Sequence, residues 1–149
     1  MILDSGGSRT EFSSGAVRDM KGADKGRCDL LPLDIVAESM SDNVLRHMSN
    51  ERIKDALEEF VIRRYENWET AILEVSIHFR DGAKKYGEYN WQKGIPLWSY
   101  KDSAIRHYLK WLRGDKDEPH DRAFVWNCLC YLWTEKHVTV DVDELIARC

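Results

Sequence analysis

Apolar positions recur at helical spacing through most of this chain. Leu33, Val36, Met40, Val44 and Met48 make a one-sided stripe that predicts a first helix over about 33–48. Ile53, Ala56, Leu57, Phe60 and Val61, with Glu51, Asp55, Glu58 and Glu59 outside, predict a second, capped by Ser49 or Asn50. A third is expected over about 68–85, ended by Gly87; Gly87, Gly94 and Pro96 then break the backbone. A fourth runs over about 98–113 with Gly114 as its stop. Asp115 or Asp117 caps a fifth, which tolerates Pro119 in its first turn and continues to about residue 136. Residues 138–140 suggest a short strand, and 141–148 a last helical turn. The first 32 residues hold five of the nine glycines and no helical period, so they read as an extended arm. The pattern predicts an all-α fold in one domain over 1–149: an arm (1–32), a bundle of about five helices (33–136) and a tail (137–149).

Composition narrows the class. The chain is 43% hydrophobic and 32% charged, which describes an ordinary globular protein. A formal net charge of −4 argues against a duplex nucleic-acid partner, which calls for a basic face, but leaves room for a small anionic ligand held by a local cluster. Cys28, Cys128, Cys130 and Cys149 have no metal-framework spacing; on a helix Cys128 and Cys130 point to different sides. With no signal-like start and no apolar run approaching a membrane span, the expectation is a cytoplasmic protein with reduced thiols and no membrane partner.

The candidate chemistry lies between residues 74 and 127. Glu74, His78 and Asp81 fall near one face of the third helix, and Asp117, Glu118 and Asp121 crowd the start of the fifth. Two such acidic faces brought together offer hard oxygen ligands for Mg²⁺ or Mn²⁺, although acids in a first helical turn also answer its dipole. His120 and Asn127, seven apart, share a stripe that partners, water or ligand must satisfy. Asp102 and Arg106 pair at helical spacing, as a surface ion pair would, and Ser103 and His107 share the next stripe without an acid that would complete a triad. Lys84, Lys85 and Lys93 supply cationic donors, Asn90 an amide, and Tyr86, Tyr89 and Trp91 flat faces on which a base can stack. In the arm, Arg27 stands among Arg18, Lys25 and Asp29, beside Gly22 and Gly26, where a loop can carry binding residues. The 25–32 segment is expected to pack near the 84–91 loop, because Leu30, Leu31 and Pro32 frame its polar residues. No Gly-x-x-x-x-Gly-Lys-Ser/Thr run is present, which excludes a P-loop NTPase.

Several of these residues stand in linked motifs. Lys25-Gly26-Arg27-x-Asp29-Leu30-Leu31-Pro32 precedes Gly82-Ala83-x-Lys85-Tyr86-Gly87-x-x-Asn90-Trp91-x-x-Gly94-x-Pro96. Asp102-Ser103-x-x-Arg106-His107 follows, then Gly114-Asp115-x-Asp117-Glu118-x-His120-x-x-Ala123-x-x-Trp126-Asn127. Over about residues 4–135 this series resembles a phage family described as dATP/dGTP diphosphohydrolase-like, similar in turn to the all-α nucleotide pyrophosphohydrolases of the MazG type. The resemblance implies Mg²⁺- or Mn²⁺-dependent hydrolysis of a purine deoxynucleoside triphosphate to monophosphate and pyrophosphate, in the cytoplasm of the host cell, by a homo-oligomer. Those enzymes bind metal through paired acidic motifs, and Asp117-Glu118-x-x-Asp121 follows the second of them with one acid shortened. It implies metal ligation by Glu74, Glu118 and Asp121, with His78 or a carboxylate orienting the attacking water. Lys84, Lys85 and Lys93 would neutralise phosphate, and Asn90 with Trp91 would hold the base. Arg27, Tyr86, Asp102, Arg106, His107, His120 and Asn127 complete the implied nucleotide site. The alternative is a phage protein that binds a host nucleotide immune signal without cleaving it.

Overall fold

The computed structural model describes residues 9–12, 17–19 and 25–138. Among them the fold is all-α, with six α-helices and one small hairpin. That hairpin pairs β1 (Arg9–Glu11) with β2 (Val17–Asp19) antiparallel, Thr10 opposite Arg18, within the stretch expected to be an extended arm. The strand expected at 138–140 and the helical turn at 141–148 lie outside the described residues, save Val138.

The expected first helix is two. α1 (Leu33–Met40) stops where Ser41 turns left-handed at φ 53°, and α2 (Asn43–Ser49) starts afresh under Asp42. The Asp42 carboxylate accepts from the Leu45 N–H at 2.8 Å, an N-cap that satisfies an otherwise orphaned donor. A continuous apolar stripe concealed this cap, because a change of helix axis can keep the stripe facing one core. Nor do Ser49 and Asn50 cap the next helix: Asn50 donates back to the Arg46 carbonyl, and α3 (Ile53–Tyr65) begins after Arg52 without a side-chain cap.

α4 (Trp68–Tyr86) starts under Asn67, whose side chain accepts from the Thr70 N–H at 2.8 Å. It ends at Gly87, whose φ of +93° is costly for any residue with a Cβ. A 3₁₀ turn (Asn90–Lys93) leads to α5 (Leu97–Arg113), which closes on left-handed Gly114. α6 (His120–His137) starts after Pro119, which is its N-cap rather than a first-turn residue. Asp115 and Asp117 therefore do not cap it; their carboxylates go to Arg113 and His120.

α5 and α6 form the central antiparallel pair, joined by the short 114–119 turn. α6 is buried nearly all round, which is why Cys128 and Cys130, on different sides of it, are both inaccessible. The core centres on Phe60, edge-on to Tyr65, Tyr108 and Trp111 and 4.6 Å between centroids from Phe124. Asp42 also accepts from the Tyr108 hydroxyl, so one carboxylate both starts α2 and ties it to α5. No helix among the described residues is long and apolar enough to cross a membrane.

Candidate functional site

The short α5–α6 turn brings two histidines face to face. His107, in the last half of α5, and His120, the first residue of α6, place their Nδ1 atoms 2.9 Å apart, with ring centroids separated by 5.1 Å. Asp117 Oδ1 lies 2.7 Å from His120 Nε2, and an ionised carboxylate can only accept, so that nitrogen carries a proton. The hydrogen bond from His120 holds the Asp117 carboxyl below its ordinary range. Glu118 reaches back from the turn to within 3.7 Å of His107 Nδ1. Asp117, His120, His107 and Glu118 thus form one connected polar chain. Two overlapping groups of potential ligands result: His107, Glu118 and His120, and Asp115, Asp117 and His120. Asp115 is itself held ionised by its hydrogen bonds from Arg113.

The acids assigned to metal divide between this corner and another. Glu118 belongs to the histidine cluster, whereas Glu74 is exposed on α4 and Asp121 is tied to Arg64 at 2.9 Å. The other Asp121 oxygen accepts from the Arg122 N–H, so both are engaged. Neither group of clustered ligands among the described residues contains Glu74 or Asp121. The charges of both acids are felt at Tyr65. Its phenol is pushed above the ordinary range by burial first, then by the charges of Asp121 and Glu74. The Tyr65 hydroxyl has no hydrogen-bond partner among the described residues. Sequence reasoning did not find it, because it reads as one more apolar position of α3.

Aromatic side chains from α4, the 3₁₀ turn and α6 line a narrow cleft. Tyr86, Asn90 and Trp91 line it as expected, and Phe79 and Trp126 join them. The Trp91 ring meets Phe79 and Trp133 edge-on at 5.5 and 5.0 Å. Tyr89, left-handed at φ 61°, stands exposed at the rim. Buried His78 packs on Trp126 at 5.5 Å, behind this wall. Lys84 and Lys93 are exposed, and the Lys85 ammonium lies 5.5 Å from the Tyr86 ring centre. Trp126 went unassigned from sequence because aromatic stripes on a central helix are ordinarily core.

The remaining candidates serve the arm. Asp102 and Arg106 are a buried pair, not a surface one: the carboxylate accepts from both guanidinium N–H₂ groups at 2.9 and 2.7 Å and from the Cys28 N–H at 2.6 Å. Arg106 also donates to the Gly26 carbonyl. Arg27 stacks 3.7 Å over Trp98 and donates twice to Asp29. The 25–32 segment does pack on the bundle, and these contacts run to α5 rather than to the 84–91 loop. Asn127 is buried and donates to the Ala123 carbonyl at 2.8 Å, and its stripe-mate His120 belongs to the histidine cluster.

Residues 64–144 match the family described as dATP/dGTP diphosphohydrolase, N-terminal. No curated protein and no solved structure matches the chain. The matched segment is more than half of the 149 residues and spans both the histidine–carboxylate cluster and the aromatic cleft, so the chain belongs to the dATP/dGTP diphosphohydrolase, N-terminal family.

Proposed function

We propose that the chain hydrolyses dATP or dGTP to the monophosphate and pyrophosphate, with a divalent cation, Mg²⁺ or Mn²⁺, at the phosphates. The observation that carries this reading is the family match, whose name is that of such an enzyme and whose span holds both candidate half-sites. A bound cation would neutralise phosphate charge and lower the barrier to attack by water. Glu118 is the acid from the expected metal set that stands in the ligand cluster, beside His107. A purine would occupy the aromatic cleft against Tyr86, Trp91 and Tyr89, near Asn90. His120 and Trp126 are six residues apart on α6, about 9 Å of helical rise, which a nucleotide would have to span. Lys84, Lys85 and Lys93 remain the proposed phosphate donors, and a homo-oligomer the proposed assembly.

The test is pyrophosphate release from each of the four deoxynucleoside triphosphates with Mg²⁺ or Mn²⁺, expected to favour the purines. Tyr89→Ala probes the cleft, because the residue is 61% exposed and its ring faces Trp91 at 6.4 Å between centroids. Loss of one stacked face should weaken purine nucleotide binding by roughly tenfold, on the order of 1–3 kcal/mol per base. Unchanged affinity in calorimetry would move the base elsewhere.

One observation favours the second reading, sequestration without cleavage. Both Asp121 oxygens are already engaged, by Arg64 and by the Arg122 N–H, so the acidic pair with Glu74 lacks a free ligand there. Tight nucleotide binding with no pyrophosphate released from any triphosphate, with either cation, would establish the binder and overturn the hydrolase.

A further inference from the structure

We propose that His107, Glu118 and His120 form a binding site for a transition-metal dication of the Mn²⁺, Co²⁺ and Zn²⁺ type, in preference to Mg²⁺. Three features converge. The first is spacing: all three residues offer a ligand atom within 4.8 Å of the others. Two nitrogens bound at right angles, each about 2.1 Å from a metal, lie about 3 Å apart, close to the 2.9 Å between the two Nδ1 atoms.

The second is orientation. A histidine that ligates a metal through one nitrogen typically donates the other N–H to a carboxylate, which fixes the tautomer. Asp117 does this to His120 at 2.7 Å, leaving the Nδ1 lone pair aimed at His107 and Glu118. Asp117 is therefore a positioning residue, itself largely exposed, with 57% of its side chain accessible. Without a cation, one proton must lie between the facing Nδ1 atoms; a metal would replace it and draw on both lone pairs.

The third is donor chemistry. Two imidazoles and one carboxylate suit borderline metals, whereas Mg²⁺ takes oxygen ligands almost exclusively. Three protein ligands leave further positions for water or phosphate oxygens. The imidazoles are buried, His120 almost completely, while Glu118 and Asp117 sit on the turn, so a ligand would approach from the turn side. The inference rests on the proposed function for what the metal does, not for whether it binds.

The experiment is a titration of the metal-free full chain, without nucleotide, by Co²⁺, Mn²⁺ and Mg²⁺ separately. Calorimetry gives affinity, and visible absorption reports the ligand field of Co²⁺. One equivalent of Co²⁺ should bind at least about tenfold more tightly than Mg²⁺, with bands that indicate nitrogen ligation. Glu118→Gln, which keeps the shape, should weaken Co²⁺ and Mn²⁺ binding at least tenfold. Asp117→Asn, at an exposed position, should weaken it by about 10–100-fold, because the second carboxylate no longer orients His120. Melting of the metal-free variants beside the wild type separates lost ligation from lost fold. Wild type that binds Co²⁺ no better than Mg²⁺, or equal Co²⁺ affinity in both variants, overturns the site. Since no nucleotide is present, a protein that fails to hydrolyse can still pass. One that hydrolyses with Mg²⁺ but shows no nitrogen-ligated Co²⁺ fails here alone.

Discussion

Above about pH 10 the three buried phenols of the folded chain should cost it roughly 4 kcal/mol of stability per pH unit. Tyr65, Tyr108 and Tyr131 are all buried, and burial pushes each phenol above its ordinary range; the hydrogen bond to Asp42 adds to the effect at Tyr108. In the unfolded chain the same phenols ionise near pH 10. Between these limits the native state binds more protons than the unfolded one, so stability falls as pH rises, by about 1.4 kcal/mol per unit for each group. The contribution is complete below the unfolded value and disappears through the raised folded one. Buried Cys128, whose thiol is raised by burial alone, begins the same loss about a unit and a half lower. A domain with ordinary stability of about 5–15 kcal/mol should therefore unfold within a few units above pH 10.

Tyr65→Phe isolates one of the three phenols. Its hydroxyl has no partner among the described residues, so removing it should cost little at pH 7, and Phe retains the packing of the ring. With Cys128 adding its own share, the alkaline slope should drop by about a quarter. Urea unfolding at stepped pH, with tyrosinate absorbance followed in parallel, reads both quantities. Folded protein in which all the phenols ionise near pH 10, or a slope indifferent to Tyr65→Phe, would contradict the burial argument.

Helices were legible where the stripe and its punctuation agree. α4 ends at Gly87 and α5 at Gly114 because both glycines hold the positive φ that stops a helix. The break at Ser41 was hidden because the 33–48 stripe does not depend on one straight axis, and only the Asp42 cap betrays the new start. Pro119 carried a real signal for a helix start, but taking Asp117 or Asp115 as the cap placed that start two or four residues early.

The candidate site was legible in its types and less so in its groupings. Periodicity along one helix set His120 beside Asn127, and across helices set Glu74 with Glu118 and Asp121. What joins His107 to His120, thirteen residues away, is the close antiparallel return through Gly114, a fact of tertiary packing that spacing cannot contain. The same holds for Trp126, which enters the aromatic cleft only because α4 lies across α6. The arm was read for ligand binding; in its 25–32 segment Arg27 lies on Trp98 of α5, and the Gly26 carbonyl and Cys28 N–H go to Arg106 and Asp102.

That attachment predicts the second large effect: Asp102→Ala should destabilise the chain by about 3–5 kcal/mol, as expected when a buried ion pair loses one partner. Asp102 satisfies three donors, two from Arg106 and the Cys28 N–H, and among the described residues Arg106 has no other acceptor apart from the Gly26 carbonyl. Alanine leaves a buried guanidinium without its counter-charge and the Cys28 N–H without its acceptor. Asp102→Asn keeps an acceptor but not the charge, so its cost should fall to about 1–3 kcal/mol. Replacing both partners, Asp102→Leu with Arg106→Leu, removes the stranded charge and should recover part of the loss, giving a coupling of about 2 kcal/mol or more in a double-mutant cycle. Detachment of the arm has its own readout in Cys28, half-buried beside the pair. Its thiol should react with a modifying reagent about tenfold faster in Asp102→Ala than in wild type, since burial now depends on local opening of a weakened segment. Urea midpoints report the first effect and thiol labelling the second. A wild-type midpoint in Asp102→Ala, with unchanged Cys28 labelling, would show that the arm is held by Arg27 on Trp98 and the apolar contacts instead, and that the buried pair contributes nothing to its docking.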